Sequence, residues 1–526
     1  MAVHKVLIGD QWVESDSTGS FQATNPATCE ALPDEYPVSS WAEIDRALDA
    51  AMAAAKALRK APAEKFAAFL EAYANQIEAR AEALVEMANL ETGLAKEPRL
   101  AKGELPRTTG QLRQAAAAAR EGSWSSPTID TATGIRSVME PTGPVIVFGP
   151  NNFPFAFNGI SGGDFAAAIA AGNPVIAKGH SAHPGTTRIF AEAALAASQE
   201  TGMPAGFVQL IYRTSHADGA KMVADHRVFG VGYTGARHTG LVLKEAADKA
   251  GTPIYLELSS VNPVFVLPGA LEERSEAISD EFAGSCLMGT GQFCTNPGVV
   301  VVPKGDAGEA LLAAVKERFE AAAPGVLLGE GVQKSFLAGV NELSSAGATL
   351  VTGGSAADAE GFRCQNTLLR VDADAFLASP EALQAEAFGN GSLFVFADGP
   401  EQMAKIAESL EGDLTGCLYS HTGGNDDEAY DVIAPALRNR VGRLLNDKMP
   451  TGVAVTAAMN HGGPYPATGH PGFTSVGIPS SIRRFAMLSC YDNVREHRLP
   501  PSLRDKNPTG SLWRSIDGQW TQGDVG

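Results

Sequence analysis

A strand–helix–strand pattern that begins at Pro144 restricts the fold of this chain more than any other feature. The apolar run Pro144-Val-Ile-Val-Phe-Gly is followed by the alanine-rich, helix-forming segment 163–172 and by a second apolar run at 174–178. Short apolar strands that alternate with helices are typical of parallel sheets covered on both faces. The alternation continues to residue 258, and we therefore predict a doubly wound α/β domain.

The alternation starts again after Asn262 and continues to about Gly452, which predicts a second α/β domain. Ahead of the first domain, three segments place apolar residues three and four positions apart and are predicted to be amphipathic helices: 41–60, 62–90 and 100–120. The remaining segments are an extended stretch at 1–31, a hairpin at 122–140 and a less regular tail from Arg484. We expect the tail to pack on a neighbouring subunit or to lie free.

Charge and composition exclude several classes of function. The chain has 41 Lys and Arg against 60 Asp and Glu, and its net charge of −19 disfavours nucleic acid and anionic membranes as partners. Its apolar runs are far shorter than the ~20 residues of a membrane span, and we see no export signal at the start. The six cysteines form no C-x-x-C pair, which favours a reducing compartment. We predict a soluble cytoplasmic protein.

The histidines give no sign of a metal site. His180-x-x-His183 is the single close pair, and it has no cysteine or carboxylate set beside it at the spacing that zinc ligands show. We therefore predict that the protein binds no metal ion.

Two interpretations are open for the glycines ahead of Arg237. The segment Gly230-Val-Gly-Tyr-Thr-Gly235 matches G-x-G-x-x-G, and Glu257 follows at about 20 residues. Taken alone, this pattern predicts a dinucleotide site in which Glu257 binds the adenosine ribose. Alternatively, the strand still runs through the first two glycines and only Gly235 forms the turn.

Three further segments decide between these interpretations. Gly289-Thr-Gly-Gln-Phe-Cys-Thr-Asn-Pro-Gly298 places a cysteine in a glycine-rich loop, Pro150-Asn-Asn-Phe-Pro154 follows a buried strand, and Glu386-Ala-Phe-Gly389 places an acid before an aromatic turn. Together with a lysine at a strand end, Thr-Gly at a strand–helix turn and Glu-Leu, they occur in the order found in the aldehyde dehydrogenase superfamily. The sequence resembles that family over nearly its whole length.

The resemblance implies an α/β fold with two doubly wound, Rossmann-like domains and an oligomerisation hairpin and arm. It assigns residues 1–121 and 141–256 to a cofactor-binding domain and residues 257–465 to a catalytic domain. The hairpin at 122–140 and the arm at 480–526 would then serve oligomerisation. By analogy with the family, the hairpin and a strand near 485–491 pair across subunits, which implies a homodimer or homotetramer.

The chemistry that the resemblance implies is the oxidation of an aldehyde to a carboxylic acid. A thiolate suits the first step, because hydride leaves only after the flat carbonyl has become tetrahedral. Cys294 is the predicted nucleophile, and we expect backbone dipoles of its loop to lower its pKa. The resemblance makes Asn152 the donor to the developing oxyanion. It makes Glu257 the general base that activates water for thioester hydrolysis, with a pKa raised by burial.

Cofactor-binding residues also follow from the resemblance. Glu386 corresponds to the acid that binds the nicotinamide ribose, with Phe388 packed beside it. Lys178 corresponds to the lysine at the adenosine ribose, and Thr234 with Gly235 forms the turn beside the cofactor.

One departure from the family pattern bears on cofactor choice. Relatives that prefer NAD usually carry an acid three residues after the lysine, whereas this chain has Ser181. Serine does not repel a 2′-phosphate, and Lys178, His180 and Arg213 could attract one. We predict NADP as the cofactor, with NAD also accepted. The alternative is that Arg213 is a solvated loop cation.

The substrate prediction rests on resemblance to one branch of the superfamily. That branch includes α-ketoglutaric semialdehyde (2,5-dioxopentanoate) dehydrogenases and NADP-dependent long-chain aldehyde dehydrogenases. We favour 2,5-dioxopentanoate, which would be oxidised to 2-oxoglutarate, and keep long-chain aldehydes as the alternative. Four aromatic residues are expected to wall the substrate tunnel, and three polar residues are expected to act as donors: Phe155, Phe157, Phe293 and Tyr465, with His461, Thr295 and Ser161. The sequence does not assign an arginine to the far end of this tunnel.

A function of a different class also has to be weighed. The chain could be a catalytically inactive relative that acts as a binding protein, but such a chain should have lost Cys294, Glu257 or Asn152. Relatives that pass the acyl group to coenzyme A or phosphate lack the glutamate, so Glu257 argues against them as well.

Overall fold

Two seven-stranded sheets organise the structure, a computed structural model that describes residues 3–526. The strands, in chain order, are β1 Val6–Ile8, β2 Gln11–Val13, β3 Ser17–Asn25, β4 Glu30–Ser39, β5 Thr128–Ile129, β6 Arg136–Pro141, β7 Val145–Phe148, β8 Val175–Lys178, β9 Val208–Ile211, β10 Arg213–Thr214, β11 Gly230–Thr234, β12 Ile254–Glu257, β13 Val264–Val266, β14 Val299–Pro303, β15 Thr349–Thr352, β16 Thr367–Asp372, β17 Gly391–Ala397, β18 Asp413–Tyr419, β19 Val441–Asn446, β20 Ala486–Tyr491, β21 Arg514–Ile516 and β22 Gln519–Thr521.

The α-helices, in chain order, are α1 Trp41–Leu58, α2 Ala63–Glu78, α3 Ala81–Thr92, α4 Leu105–Glu121, α5 Gly163–Ala171, α6 Pro184–Glu200, α7 His216–Val223, α8 Arg237–Ala250, α9 Pro268–Leu287, α10 Asp306–Ala321, α11 Glu330–Ser345, α12 Ala373–Ala378, α13 Pro380–Leu383, α14 Pro400–Ser409 and α15 Asp427–Arg438. A π-helical segment covers Lys96–Glu104, and short 3₁₀ helices cover Ser123–Ser125, Met288–Gly291, Ser480–Phe485, Glu496–Arg498 and Pro501–Leu503. From residue 3 onward, the structure contains no helix long and apolar enough to cross a membrane.

The first large sheet has the strand order β12-β11-β7-β8-β9-β1-β2. Strands β12 to β9 in this order are parallel, and β1 and β2 add an antiparallel edge. Alternate residues of β7 enter two different cores: Val145 and Val147 pack with α2 to α6, while Ile146 and Phe148 pack on the opposite face with α1 and α8. Helices therefore cover both faces, which confirms the predicted doubly wound fold.

The second large sheet has the order β15-β16-β17-β14-β13-β18-β19, and all of its strands are parallel except the edge strand β15. Its two faces are likewise buried, with Val299 and Val301 facing one core and Val300 and Val302 facing the other. Near-continuous valine is what a strand buried on both faces requires.

A third sheet joins the predicted hairpin to the tail, in the order β20-β6-β5-β21-β22. The tail was expected to lie free or on a neighbour, but β21 pairs with β5 of the same chain. Side chains of both segments hold the tail to the hairpin: Arg136 Nη2 donates to Asp505 at 2.7 Å, and Asp517 accepts from Thr131 N at 2.8 Å. A fourth, smaller sheet contains β10, β4 and β3.

The helix predicted over 62–90 is in fact two helices. The chain leaves helical geometry at Arg80, whose φ and ψ are −112° and 15°. The Arg80 side chain donates to the carbonyl of Gln76 at 3.0 Å and so satisfies a group at the end of α2. No glycine or proline marks this break, which is why the periodicity of the sequence did not indicate it.

Candidate active site

Polar side chains gather at one edge of the first sheet. Lys178, Thr234 and Glu257 are the last residues of β8, β11 and β12, and Asn152 follows β7. The strand order reverses direction between β7 and β11. Ligands of open parallel sheets bind in the crevice at such a switch point. The fold thus brings together four of the residues singled out from the sequence.

The glycines ahead of α8 belong to the strand. Both Gly230 and Gly232 lie within β11, so the second interpretation of the G-x-G-x-x-G pattern is confirmed. A Cβ on Gly232 would lie 2.6 Å from a carboxylate oxygen of Asp164. Asp164 is in turn paired with Arg484 at 2.7 Å. Gly232 therefore serves the close packing of α5 on the sheet.

Cys294 lies on a sharply turned loop after α9. Gly291 has a φ of 67°, and a Cβ there would lie 2.0 Å from the carbonyl oxygen of Gly389. Glycine therefore allows the cysteine loop to approach the loop that carries Glu386. Asn262 Nδ2 donates to the Cys294 carbonyl at 2.9 Å and fixes the loop from the other side.

Asn152 contacts the same loop. It is buried, and its Nδ2 donates to the carbonyl of Gln292 at 3.0 Å. A side-chain amide nitrogen carries two hydrogens, so one remains for a second acceptor near Cys294. Arg99 Nη2 donates to the Asn152 carbonyl at 2.9 Å and holds the backbone in place.

The Cys294 thiol, His461 and Glu257 form one cluster. Cys294 Sγ lies 3.3 Å from His461 Nε2, and the same nitrogen lies 2.8 Å from Glu257 Oε1. Ser475 Oγ donates to the other carboxylate oxygen of Glu257 at 2.7 Å. The sequence predicts His461 as a donor to substrate. The structure instead places it between the candidate nucleophile and the candidate base.

Burial and neighbouring charges set the protonation of this cluster. The resulting pKa shifts of Cys294 and Glu257 are opposite to those expected from the sequence. Burial, followed by the adjacent Glu257 carboxylate, raises the pKa of Cys294 well above its usual range. Burial by itself also raises the pKa of Glu257, but His461 and Ser475 outweigh it and hold that pKa below its usual range. At rest, Cys294 is therefore a thiol and Glu257 a carboxylate.

The cluster also bears on the predicted absence of metal. The sulfur of Cys294, a carboxylate oxygen of Glu257 and a ring nitrogen of His461 all lie within 4.8 Å of one another. These are side chains that bind zinc. Elemental analysis of the purified protein tests the prediction directly.

On the opposite side of the sheet edge, two cations lie near each other. Burial and the nearby charge of Arg213 lower the pKa of Lys178 to about 8. Arg213 is exposed, with its guanidinium 5.6 Å from the ring centre of Phe21. Ser181 is half-buried. His180 adds no charge at neutral pH, because burial and the neighbouring His183 hold its pKa well below its usual range.

Glu386 and Phe388 border a cavity of about 430 Å³ that also reaches Phe293, the neighbour of Cys294. Burial raises the pKa of Glu386 to about 7, although hydrogen bonds from Ser259 and Ser260 oppose the shift. An acid therefore lies within the crevice, close to the cysteine loop.

The aromatic wall differs from the one that the sequence predicts. Phe153 packs edge to face with Phe157 and Phe293, at centroid distances of 5.2 and 5.3 Å. Phe155 is not part of this wall: it is fully buried against Phe190 in the core of the first sheet, 5.4 Å away. Successive side chains of this turn point in different directions, so Phe153 takes the place predicted for Phe155.

Tyr465, which was also predicted to wall the pocket, lies elsewhere. Tyr465 is 54% exposed and its ring centre lies 5.7 Å from the guanidinium of Arg237, at the start of α8. Its carbonyl accepts from Gly412 N at 3.1 Å, which holds it away from the phenylalanines. Thr295 is buried, and its hydroxyl accepts from Gly452 N at 3.3 Å.

Sequence reasoning missed two arginines beside the aromatic wall. The guanidinium of Arg99 lies 4.3 Å from the centre of the Phe153 ring, and that of Arg107 lies 5.2 Å from the centre of the Phe157 ring. Both precede the wall by a long stretch of helix, in a region without chemical motifs. No signal in the sequence points to them, whereas Phe153 is part of the Asn-Phe-Pro segment and could have been identified there.

Comparison with known proteins settles the family. The model of the aldehyde dehydrogenase family matches residues 12–463. The chain belongs to the aldehyde dehydrogenase family. This confirms the predicted resemblance and the predicted enzyme class, an oxidoreductase that acts on aldehydes.

Two curated relatives of this aldehyde dehydrogenase match over almost their full length. Alpha-ketoglutaric semialdehyde dehydrogenase 2 of Azospirillum brasilense is 38% identical, over 98% of this chain and 99% of its own. Alpha-ketoglutaric semialdehyde dehydrogenase of Acinetobacter baylyi is 34% identical, over 97% and 96%. Among solved structures, a variant of aldehyde dehydrogenase C from Pseudomonas syringae, bound to NAD⁺ and octanal, superposes with a TM-score of 0.79 at 20% identity, over 93% of this chain and 96% of its own. That likeness confirms the fold.

Proposed function

We propose that this aldehyde dehydrogenase oxidises 2,5-dioxopentanoate to 2-oxoglutarate with a nicotinamide cofactor. The observation that carries the reaction type is the cluster in which Cys294 Sγ lies 3.3 Å from His461 Nε2, and that nitrogen lies 2.8 Å from Glu257. The two full-length relatives named for α-ketoglutaric semialdehyde support the substrate.

The side chains of this cluster can accept or donate the protons that the reaction moves. Cys294 Sγ adds to the aldehyde carbon while its proton moves to the Glu257 carboxylate, to which His461 Nε2–H donates at 2.8 Å. Glu257 releases this proton to solvent before the second half of the reaction. Asn152 Nδ2 donates to the oxygen that becomes negative, and one such donor typically contributes ~10²- to 10³-fold in rate. A nicotinamide cofactor, held by Glu386 beside Phe388, would supply the acceptor for the hydride that leaves the tetrahedral carbon. Glu257 then takes a proton from water, the hydroxide adds to the thioester, and Cys294 leaves as the acid forms.

We propose NADP as the preferred cofactor, bound by the domain built on residues 1–121 and 141–256. Lys178 and Arg213 are two cations at the end of β8 and β9, and no acid opposes them at Ser181. Two positive charges that lie close together repel each other, and an anion bound between them removes that repulsion. This supports a 2′-phosphate between Lys178 and Arg213. Thr234 and Gly235 lie at the strand–helix turn, where a cofactor would pass. Glu386, beside Phe388, is placed to accept from the ribose hydroxyls of the nicotinamide half.

The pKa of Lys178 makes this cofactor preference depend on pH. The free amine binds phosphate poorly, so the ratio of KM for NADP to KM for NAD should rise about tenfold between pH 7 and pH 9, as a group with a pKa of about 8 loses its charge. In Lys178→Arg the guanidinium stays charged, and the ratio should stay constant. Steady-state kinetics with both cofactors measure it. A wild-type ratio that does not change with pH would exclude Lys178 from phosphate binding.

A second candidate substrate is a long-chain aliphatic aldehyde, because the wall formed by Phe153, Phe157 and Phe293 is apolar. Initial rates with 2,5-dioxopentanoate, succinic semialdehyde and hexanal separate the two. We expect kcat/KM to be highest for 2,5-dioxopentanoate. If hexanal has the highest value, the reaction type stands and the substrate proposal is wrong. If no aldehyde is oxidised, the protein is an inactive relative.

We propose that two copies associate through β20. This strand is an edge of the third sheet, where β6 is its single neighbour among the described strands. Met487 and Leu488 on β20 are 53% and 64% exposed, and apolar edge strands tend to pair. Light scattering should give twice the chain mass of 54.8 kDa, or four times for a dimer of dimers; a monomer would exclude the proposal.

A further inference from the structure

Arg107, in the first turn of α4, is a half-buried arginine with two nitrogens that are unpartnered in the described structure. Its Nε and Nη2 are both buried and have no hydrogen-bond acceptor within residues 3–526. Arginine keeps its charge in proteins, and a buried charge without a partner is strongly unfavourable. Such a group is retained where a ligand supplies the missing hydrogen-bond acceptors.

The neighbouring Arg99 has partners for both of its terminal nitrogens, although its buried Nε has none among the described residues. Its Nη1 lies 3.2 Å from Glu104, and its Nη2 donates to the Asn152 carbonyl. The other oxygen of Glu104 is also occupied, because it accepts from the backbone N–H of Phe155 at 2.8 Å. Glu104 thus contacts Arg99 and the turn. Its charge also acts on Arg107, but no hydrogen bond joins these two side chains.

Arg107 also lies close to the reacting groups. Its guanidinium carbon stands 5.5 and 5.2 Å from the ring centres of Phe153 and Phe157. Phe157 packs against the ring of His461 at 5.8 Å, and His461 contacts Cys294. The charges of Cys294 and Glu257 are near enough to affect the pKa of Arg107. One aromatic ring thus separates Arg107 from the catalytic cluster.

We infer that Arg107 binds the carboxylate at the end of the substrate remote from the aldehyde, so that the enzyme selects short aldehydes bearing a terminal acid. The inference rests on the proposed function. The two unpartnered nitrogens, Nε and Nη2, lie along one edge of the planar guanidinium, which is the edge that binds both oxygens of a carboxylate. A plain aliphatic aldehyde would leave this edge empty. The guanidinium carbon lies within 5.5 Å of the ring centres of both Phe153 and Phe157, which limits the positions that the side chain can take.

Replacement of Arg107 by methionine tests this, with two aldehydes of five carbons. We expect kcat/KM for 2,5-dioxopentanoate to fall about 10- to 100-fold, mainly through KM, as for the loss of hydrogen bonds to a charged group. The value for pentanal, which has no carboxylate, should change little. Arg113→Met is the matched control, because Arg113 lies on the same helix but is exposed and paired with Glu78; it should affect neither substrate.

A binding measurement tests the inference without catalytic turnover. In Cys294→Ala protein, calorimetry with 2-oxopentanoate, a keto acid without an aldehyde, should show binding that Arg107→Met weakens by a similar factor. Equal losses of kcat/KM for both aldehydes would make Arg107 a structural residue and overturn the inference. So would an unchanged kcat/KM for 2,5-dioxopentanoate in Arg107→Met, even though the proposed function would then stand.

A further outcome distinguishes the proposed substrate from the carboxylate site at Arg107. If the wild-type enzyme does not oxidise 2,5-dioxopentanoate but oxidises succinic semialdehyde in a manner that requires Arg107, the proposed substrate is wrong and the carboxylate site is supported.

Discussion

Cys294→Ala is expected to lower kcat by at least about 10⁴-fold with every aldehyde, as nucleophile replacements do in enzymes that form covalent intermediates. The physical reason is the isolation of this thiol. Cys286, Cys364 and Cys417 are buried, and burial raises the pKa of Cys286 to about 12. None of these three contacts His461 or Glu257 in the described structure, so none replaces Cys294.

The matched control is Cys29→Ser, which changes an exposed thiol between β3 and β4 and should leave the rate unchanged. Cofactor binding by Cys294→Ala, measured by fluorescence titration, should match that of the wild type, because the lost group lies on the catalytic side of the crevice. Substantial residual turnover by Cys294→Ala would show that the reaction does not proceed through a thioester. The cluster of Cys294, His461 and Glu257 would then need another role.

The parts of the fold that were predicted correctly depend on local patterns. Apolar strands between helices predicted both doubly wound sheets, because a strand buried on two faces must be apolar throughout. The break at Arg80 between α2 and α3 was missed because it is made by a side chain bonding to a carbonyl, and such a bond leaves no mark on hydrophobic spacing. The return of the tail onto β5 was missed because it depends on contacts between residues far apart in sequence, such as Arg136 with Asp505 and Thr131 with Asp517.

In the candidate site, too, local patterns predicted some residues, whereas contacts between distant segments could not be predicted. Cys294, Glu257 and Asn152 stand in short segments whose order is characteristic, and the structure brings all three to one crevice. The position of His461 between Cys294 and Glu257 could not be predicted, since it joins segments that are distant in sequence. The pKa shifts of Cys294 and Glu257 were misjudged for a related reason: burial and partner charges come from tertiary packing. Arg107 carries no local signal of any kind.

Glu257→Gln is expected to separate the two halves of the reaction. The amide keeps the shape of the side chain and can still contact Ser475, but it cannot accept a proton from water. Steady-state kcat should fall about 10²- to 10⁴-fold, the usual contribution of a general base. A burst of reduced cofactor, one per active site, should persist in stopped-flow experiments. Without the carboxylate, His461 is free to carry its proton on Nδ1, and its Nε2, 3.3 Å from Cys294 Sγ, can then accept the thiol proton. The thioester on Cys294 should accumulate and be detectable by mass spectrometry of quenched protein.

Glu386→Gln provides the comparison for this result. Glu386 lies in the cofactor crevice, so its replacement should raise KM for the cofactor and leave the ratio of burst to steady rate unaltered. If Glu257→Gln behaved in that way instead, Glu257 would be a ribose-binding residue, as the glycine pattern alone suggests. If the burst were lost together with the steady rate, His461 would not replace Glu257 as the acceptor of the Cys294 proton. His461 would then orient the carboxylate without carrying the proton, because a base at Nε2 would have preserved the first half of the reaction.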